Sequence, residues 1–167
     1  MTSSTTPEGR DADGITTDID DHSVSATTVV EASPAEVFSF IRRPANHAQI
    51  SGDETVRGTQ TGPEQLGPDS RFGMKMKLGV PYRITSKVVE FDENRVIAWC
   101  HGSGHRWRWE LEPVGDTNTK LTETYNQSTA KLPFVLRLMG YPKRHRANVV
   151  QSVANVAAYF AGAGTRG

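Results

Sequence analysis

The densest chemistry in this sequence alternates along one short segment, Leu121, Glu123, Tyr125 and Gln127. A period of two puts these side chains on one face of a strand. If that face looks into a cavity, Glu123 is a carboxyl group held away from water. Its pKa is then raised, and it can act as a general acid or base beside the Tyr125 phenol. If the register instead turns Thr122, Thr124 and Asn126 inward, Glu123 is a surface charge. Both registers stay open at this level.

A second group is His101-Gly102-Ser103-Gly104-His105. The glycines point to a hairpin turn, in which two imidazoles four apart need not converge as they would on a helix. Cys100 is the one nearby thiol, and strand alternation sends it to the opposite face from His101. No metal site is expected here. His101 and His105 read either as pocket-mouth proton carriers or as a solvated turn. Ser103 lacks the Gly-x-Ser-x-Gly frame of a nucleophile elbow. Gly102 and Gly104 open like a dinucleotide fingerprint, but Trp107 stands where its third glycine belongs. No cofactor is expected.

Apolar residues surround these groups in sequence. Phe72, Met74 and Met76 alternate on one segment, and Trp99, Trp107 and Trp109 lie on later consecutive strands. With Tyr125 and with Val153 of the last helix they can form an adaptable wall for a ring or an acyl chain. Ordinary core packing accounts for the same residues and is the simpler reading. Lys143, Arg144, His145 and Arg146 cluster at the start of that helix, where positive charge opposes the dipole. Beside Leu132, Phe134, Leu136, Leu138 and Met139 this cluster reads as a transient contact to an anionic membrane surface, or as a solvated basic face.

The elements that must position these residues follow from periodicity. Residues 1–21 carry six acidic side chains against one arginine and little to bury, so they are expected to be a disordered acidic tail. Val24, Ala26, Thr28 and Val30 alternate as a first strand. Ser33-Pro34-Ala35-Glu36 carries a cap, a first-turn proline and a capping-box glutamate, so a helix starts there and ends before Pro44. A short second helix covers Asn46 to Ser51. Short segments between turns over residues 54–127 make an antiparallel sheet. From Pro142, Val149, Val153, Val156 and Phe160 line one stripe of a closing helix of about 18 residues. A sheet curled around that helix encloses a space suited to a small apolar ligand. The domain is read as residues 22–162, with a flexible tail over 163–167.

The 167 residues suffice for one domain, and 19 basic side chains balance 19 acidic ones, which argues against a dedicated nucleic-acid binder. A single cysteine and a polar start without an apolar signal segment point to the cytoplasm.

Val30-Glu31-Ala32-Ser33-Pro34-Ala35-Glu36-Val37-Phe38 resembles the opening of the SRPBCC superfamily, which includes START-like, Bet v 1-like and polyketide cyclase proteins. Arg95 to Trp99, Trp107 to Pro113 and Thr119 to Thr124 resemble its later strands. The resemblance implies an α+β helix-grip fold, a curved antiparallel sheet wrapped around a long C-terminal helix. It further implies an internal cavity for a hydrophobic small molecule, such as a lipid, fatty acyl or polyketide-like compound. A polyketide cyclase or aromatase working through Glu123, Tyr125, His101 or His105 is the alternative, and a partner-binding module ranks after both. Many relatives carry a tryptophan where this chain has Asn46-His47-Ala48-Gln49-Ile50, so the pocket floor is expected to differ. The sequence leaves the oligomeric state open.

Overall fold

The computed structural model describes residues 6–10, 14–131, 134 and 141–163. In chain order the elements are β1 (Thr6–Arg10), β2 (Thr16–Ile19), β3 (Ser23–Val30), α1 (Pro34–Ile41), a 3-10 turn (Pro44–Asn46), α2 (His47–Ile50), β4 (Val56–Thr61), β5 (Arg71–Leu78), β6 (Val80–Asp92), β7 (Val96–Cys100), β8 (Arg106–Val114), β9 (Asn118–Asn126) and α3 (Tyr141–Ala163). The fold is α+β of the helix-grip type. One antiparallel sheet runs in the order β1-β2-β3-β9-β8-β7-β6-β5-β4. Because β3 pairs with β9, the helices that follow β3 and the helix that follows β9 sit over the same concave face.

Local chemistry sets the helix ends. Ser33 Oγ accepts the Glu36 N–H while the Glu36 carboxylate accepts the Ser33 N–H at 3.0 Å, a closed capping box with Pro34 in the first turn. Val37, Phe38, Phe40 and Ile41 of α1 are buried. Phe40 stacks on Tyr159 with ring centres 4.1 Å apart, tying α1 to α3. Val149, Val153 and Val156 of α3 are fully buried against the sheet. This helix is 23 residues long, more than the apolar stripe alone predicts. No helix among the described residues is long and apolar enough to cross a membrane.

The expected disordered tail is corrected. Thr6–Arg10 and Thr16–Ile19 are strands, and β2 runs in register along β3 from Thr16↔Thr27 to Ile19↔Val24. Ile15 and Thr17 are buried. Composition counts side chains, whereas the edge of β3 offers backbone N–H and C=O groups that a polar strand satisfies as well as an apolar one. Asp20 closes the β2–β3 turn by accepting the His22 and Ser23 N–H groups at 2.6 and 2.7 Å. Gln127, fully buried beyond β9, donates from Nε2 to the Asp21 carbonyl at 3.3 Å. It therefore anchors the N-terminal segment. Residues 1–5, 11–13 and 164–167 lie outside the described residues.

The basic cluster on α3 is divided. Lys143 is exposed, but Arg146 is half-buried and its Nη2 lies 3.4 Å from Thr17 Oγ1, so it braces β2. Of the neighbouring apolar run only Phe134 is described, and it is exposed. The Arg144 side chain lies outside the described atoms.

Candidate functional site: a cavity under the closing helix

The register question is settled by burial. Leu121, Glu123 and Tyr125 all point inward, and Glu123 keeps only 4% of its surface exposed. Glu123 joins a cavity of about 100 Å³ between the concave sheet, α2 and α3. Its apolar walls are Phe72, Met74, Met76, Ile84, Trp99, Trp107 and Trp109. Its polar groups include His47, Ser86, His101, Glu123, Asn148 and Ser152, with Ser51, Asp53 and Thr55 on the loop after α2. Three residues expected at the site are not on this wall: Val153 packs in the core, and Tyr125 and His105 belong to a neighbouring ring cluster.

Trp109 and Glu123 are direct cross-strand partners on β8 and β9. Both are buried, and neither Trp109 Nε1 nor Glu123 Oε2 has a hydrogen-bond partner. An unpaired buried donor or acceptor costs about 1–3 kcal/mol, so two side by side on a cavity wall are a strain that a ligand oxygen would relieve. Burial holds the Glu123 pKa well above the usual carboxylate value. A hydrogen bond to Ser152 opposes that shift, and the Asp53 carboxylate adds to it. The protonated form supplies an O–H donor at the strand position directly across from Trp109.

Two imidazoles share the cavity, both neutral at pH 7. His47 sits at the floor, with its Nε2 2.9 Å from the Ile41 carbonyl and its ring stacked on Trp99 at 4.7 Å. Nε2 therefore carries the proton and Nδ1 is left as an acceptor. Desolvation lowers its pKa to about 4. Sequence reading missed His47 as a site residue. The available signal was its three-residue spacing from Ile50, which puts both on one face of α2. His101 Nδ1 lies 2.7 Å from the buried Ser86 Oγ. Burial, and then His105, lower its pKa to about 4.

The histidine turn is more compact than its glycines predict. The His101 and His105 rings are perpendicular with centres 5.0 Å apart. His105 then meets Tyr125 at 5.5 Å, and Tyr125 meets His145 of α3 at 4.1 Å. These rings pin the start of α3 to the sheet. Among the described residues no three His, Cys, Asp or Glu side chains are grouped to hold a metal ion.

A glycine locks the rim. Gly52 N–H donates to Asn148 Oδ1 and lies equally close, at 3.1 Å, to Ser152 Oγ, while Asn148 Nδ2 donates to Asp53 at 3.1 Å. A Cβ on Gly52 would clash with the Asn148 carbonyl oxygen, so only glycine lets the loop approach α3 this closely. Ser152 thus links the loop to Glu123.

Fold and sequence agree in the comparison with known proteins. The family described as polyketide cyclase / dehydrase and lipid transport matches residues 21–161. The chain belongs to this family. A Mycobacterium tuberculosis H37Rv protein, Rv0088, described as uncharacterised, is 38% identical over 144 residues, covering 83% of this chain. The chain spans 64% of that relative's length. Among solved structures, NE0264 from Nitrosomonas europaea superposes with a TM-score of 0.65 at 12% identity, over 88% of this chain and 99% of its own. Ms6760 from Mycobacterium smegmatis gives 0.62 at 14%, over 89% and 97%. The di-domain ARO/CYC StfQ of a steffimycin biosynthetic pathway gives 0.60 at 15%, over 87% of this chain and 53% of its own. Likenesses at this identity establish the helix-grip fold.

Proposed function

We propose that this protein binds a small, mainly apolar molecule bearing one oxygen function, and that Trp109 and Glu123 receive that oxygen. The observation that carries this reading is the adjacent pair of unpartnered buried polar groups in a cavity whose walls are largely aromatic, aliphatic and thioether side chains. Family membership supports a hydrophobic ligand of the lipid, fatty acyl or polyketide-like kind. At about 100 Å³ the cavity is below the roughly 300–1,000 Å³ usual for a drug-sized ligand. The ligand must therefore enter by displacing flexible side chains such as Met74 and Met76 or by lifting the Gly52 rim.

The test is native mass spectrometry of the protein purified from its own host, followed by organic extraction and by titration of recovered compounds against wild type and Trp109→Phe. A defined mass that binds wild type more tightly than the variant supports the reading. A compound that binds both equally removes Trp109 from recognition.

A cyclase or aromatase is the second reading, favoured by the raised pKa of Glu123, which suits a general acid toward a ligand carbonyl. Glu123→Gln separates the two. Turnover of a polyketone lost with binding retained makes the protein an enzyme, while binding without any turnover in wild type makes it a carrier.

A further inference from the structure

The β5–β6 hairpin extends beyond the core. Along its inner face the buried Met74 and Met76 continue into Leu78, and across the Gly79 turn into Val80 and Tyr82. Leu78 and Val80 are each 72% exposed and Tyr82 is 42% exposed. Gly79 at φ +72° makes the turn tight, so two branched aliphatic side chains stand at the very tip.

The opposite face is basic. Lys75 lies directly across from Arg83, with Lys77 two residues along and Arg57 on neighbouring β4. All four are exposed, and none forms an ion pair with a carboxylate among the described residues. Like charges placed opposite one another destabilise a strand pair, and exposed apolar tips gain nothing in water. The chain as a whole is neutral, so this local excess is not a general basic character. Fold stability accounts for neither feature.

We propose that this hairpin docks the protein on an anionic membrane surface, with Leu78, Val80 and Tyr82 entering the interfacial layer and Arg57, Lys75, Lys77 and Arg83 meeting lipid phosphates. An apolar edge flanked by cations is the pattern of interfacial anchoring, in which long basic side chains reach back to the headgroups. An acidic protein would match the charges but would leave the protruding aliphatic pair without a role. Met76 lines both the basic hollow of this hairpin and the internal cavity. The proposed docking hairpin therefore adjoins one wall of the cavity. The proposal stands apart from the identity of the cavity ligand.

The test is co-sedimentation of the full chain with vesicles of phosphatidylglycerol and phosphatidylcholine, and with phosphatidylcholine alone, at low and raised salt. Expected are partitioning to the anionic vesicles only, weakening with salt, and a loss of at least about tenfold in Lys75→Glu/Lys77→Glu. Leu78→Ser/Val80→Ser, on solvent-facing positions that leave the core intact, loses several-fold at both salt levels. Lys143→Glu retains binding and reports on the α3 cluster. The proposal is overturned by absent partitioning, by binding that the Lys75/Lys77 variant keeps, or by equal loss in Lys143→Glu. Binding unaffected by the Leu78/Val80 variant also overturns it, since a purely electrostatic surface then fits an acidic protein instead.

Discussion

At the scale of single residues, the site turns on groups whose environments deny them water. Trp109 Nε1–H has no partner, so Trp109→Phe removes an unsatisfied donor without making a large void. Its melting temperature should be unchanged or slightly raised, while ligand affinity falls by about 5–10-fold, the worth of one hydrogen bond. Calorimetric titration and thermal unfolding of the same preparations read both effects. His47 is the residue that sequence reading passed over. Its segment looked like a missing tryptophan, yet the imidazole supplies the flat ring stacked on Trp99. Glu123 was legible as a candidate, but its orientation was not, because alternation along β9 permits either face. What decides it is pairing: β9 lies between β3 and β8, and the buried Val24 and Ala26 of β3 sit directly opposite Tyr125 and Glu123.

At the scale of elements, local signals marked helices and turns well and long-range pairing poorly. The capping box at Ser33 and the valine stripe of α3 are encoded within a few residues, and both stand in the structure as their spacing predicts. The strands β1 and β2 carry no such signal, because their support is the open edge of β3. Ile15 is nevertheless buried beside that edge, so Ile15→Ala should cost about 2–4 kcal/mol in denaturant unfolding. A disordered tail would show no change. Gly52 makes the complementary case, where one atom decides how two elements meet. Gly52→Ala must push the loop off α3, breaking the bonds to Asn148 and Ser152. The expected outcome is a loss of about 1–3 kcal/mol in stability, with faster hydrogen exchange at residues flanking the loop. Unchanged exchange there would show that the loop does not lean on α3.

At the scale of the whole molecule, the cavity places opposing titrations inside one fold, and their signs can be worked out separately. His47 and His101 have folded pKa values near 4, against an ordinary histidine value of 6.5. Between those values the unfolded chain binds protons that the folded one refuses, so stability present above pH 6.5 is lost as pH falls toward 4. For the fully buried His47 a shift of this size corresponds to about 3 kcal/mol. Glu123 acts the other way. Its raised pKa makes the folded state hold a proton that the unfolded chain releases above 4.5, so its contribution is present below that value and is lost as pH rises. Together they predict a stability optimum between an acid limb set by the imidazoles and an alkaline limb set by Glu123. Glu123→Gln should flatten the alkaline limb and make the protein more stable than wild type at high pH, with the difference vanishing below pH 4.5. His47→Gln, which keeps a donor for the Ile41 carbonyl, should flatten part of the acid limb alone. Denaturant unfolding of the three proteins from about pH 4 to 9 reads both limbs. An alkaline limb that Glu123→Gln leaves unchanged would mean that Glu123 is already charged in the folded cavity, and the oxygen-recognising pair with Trp109 would then have to bind a donor rather than a carbonyl.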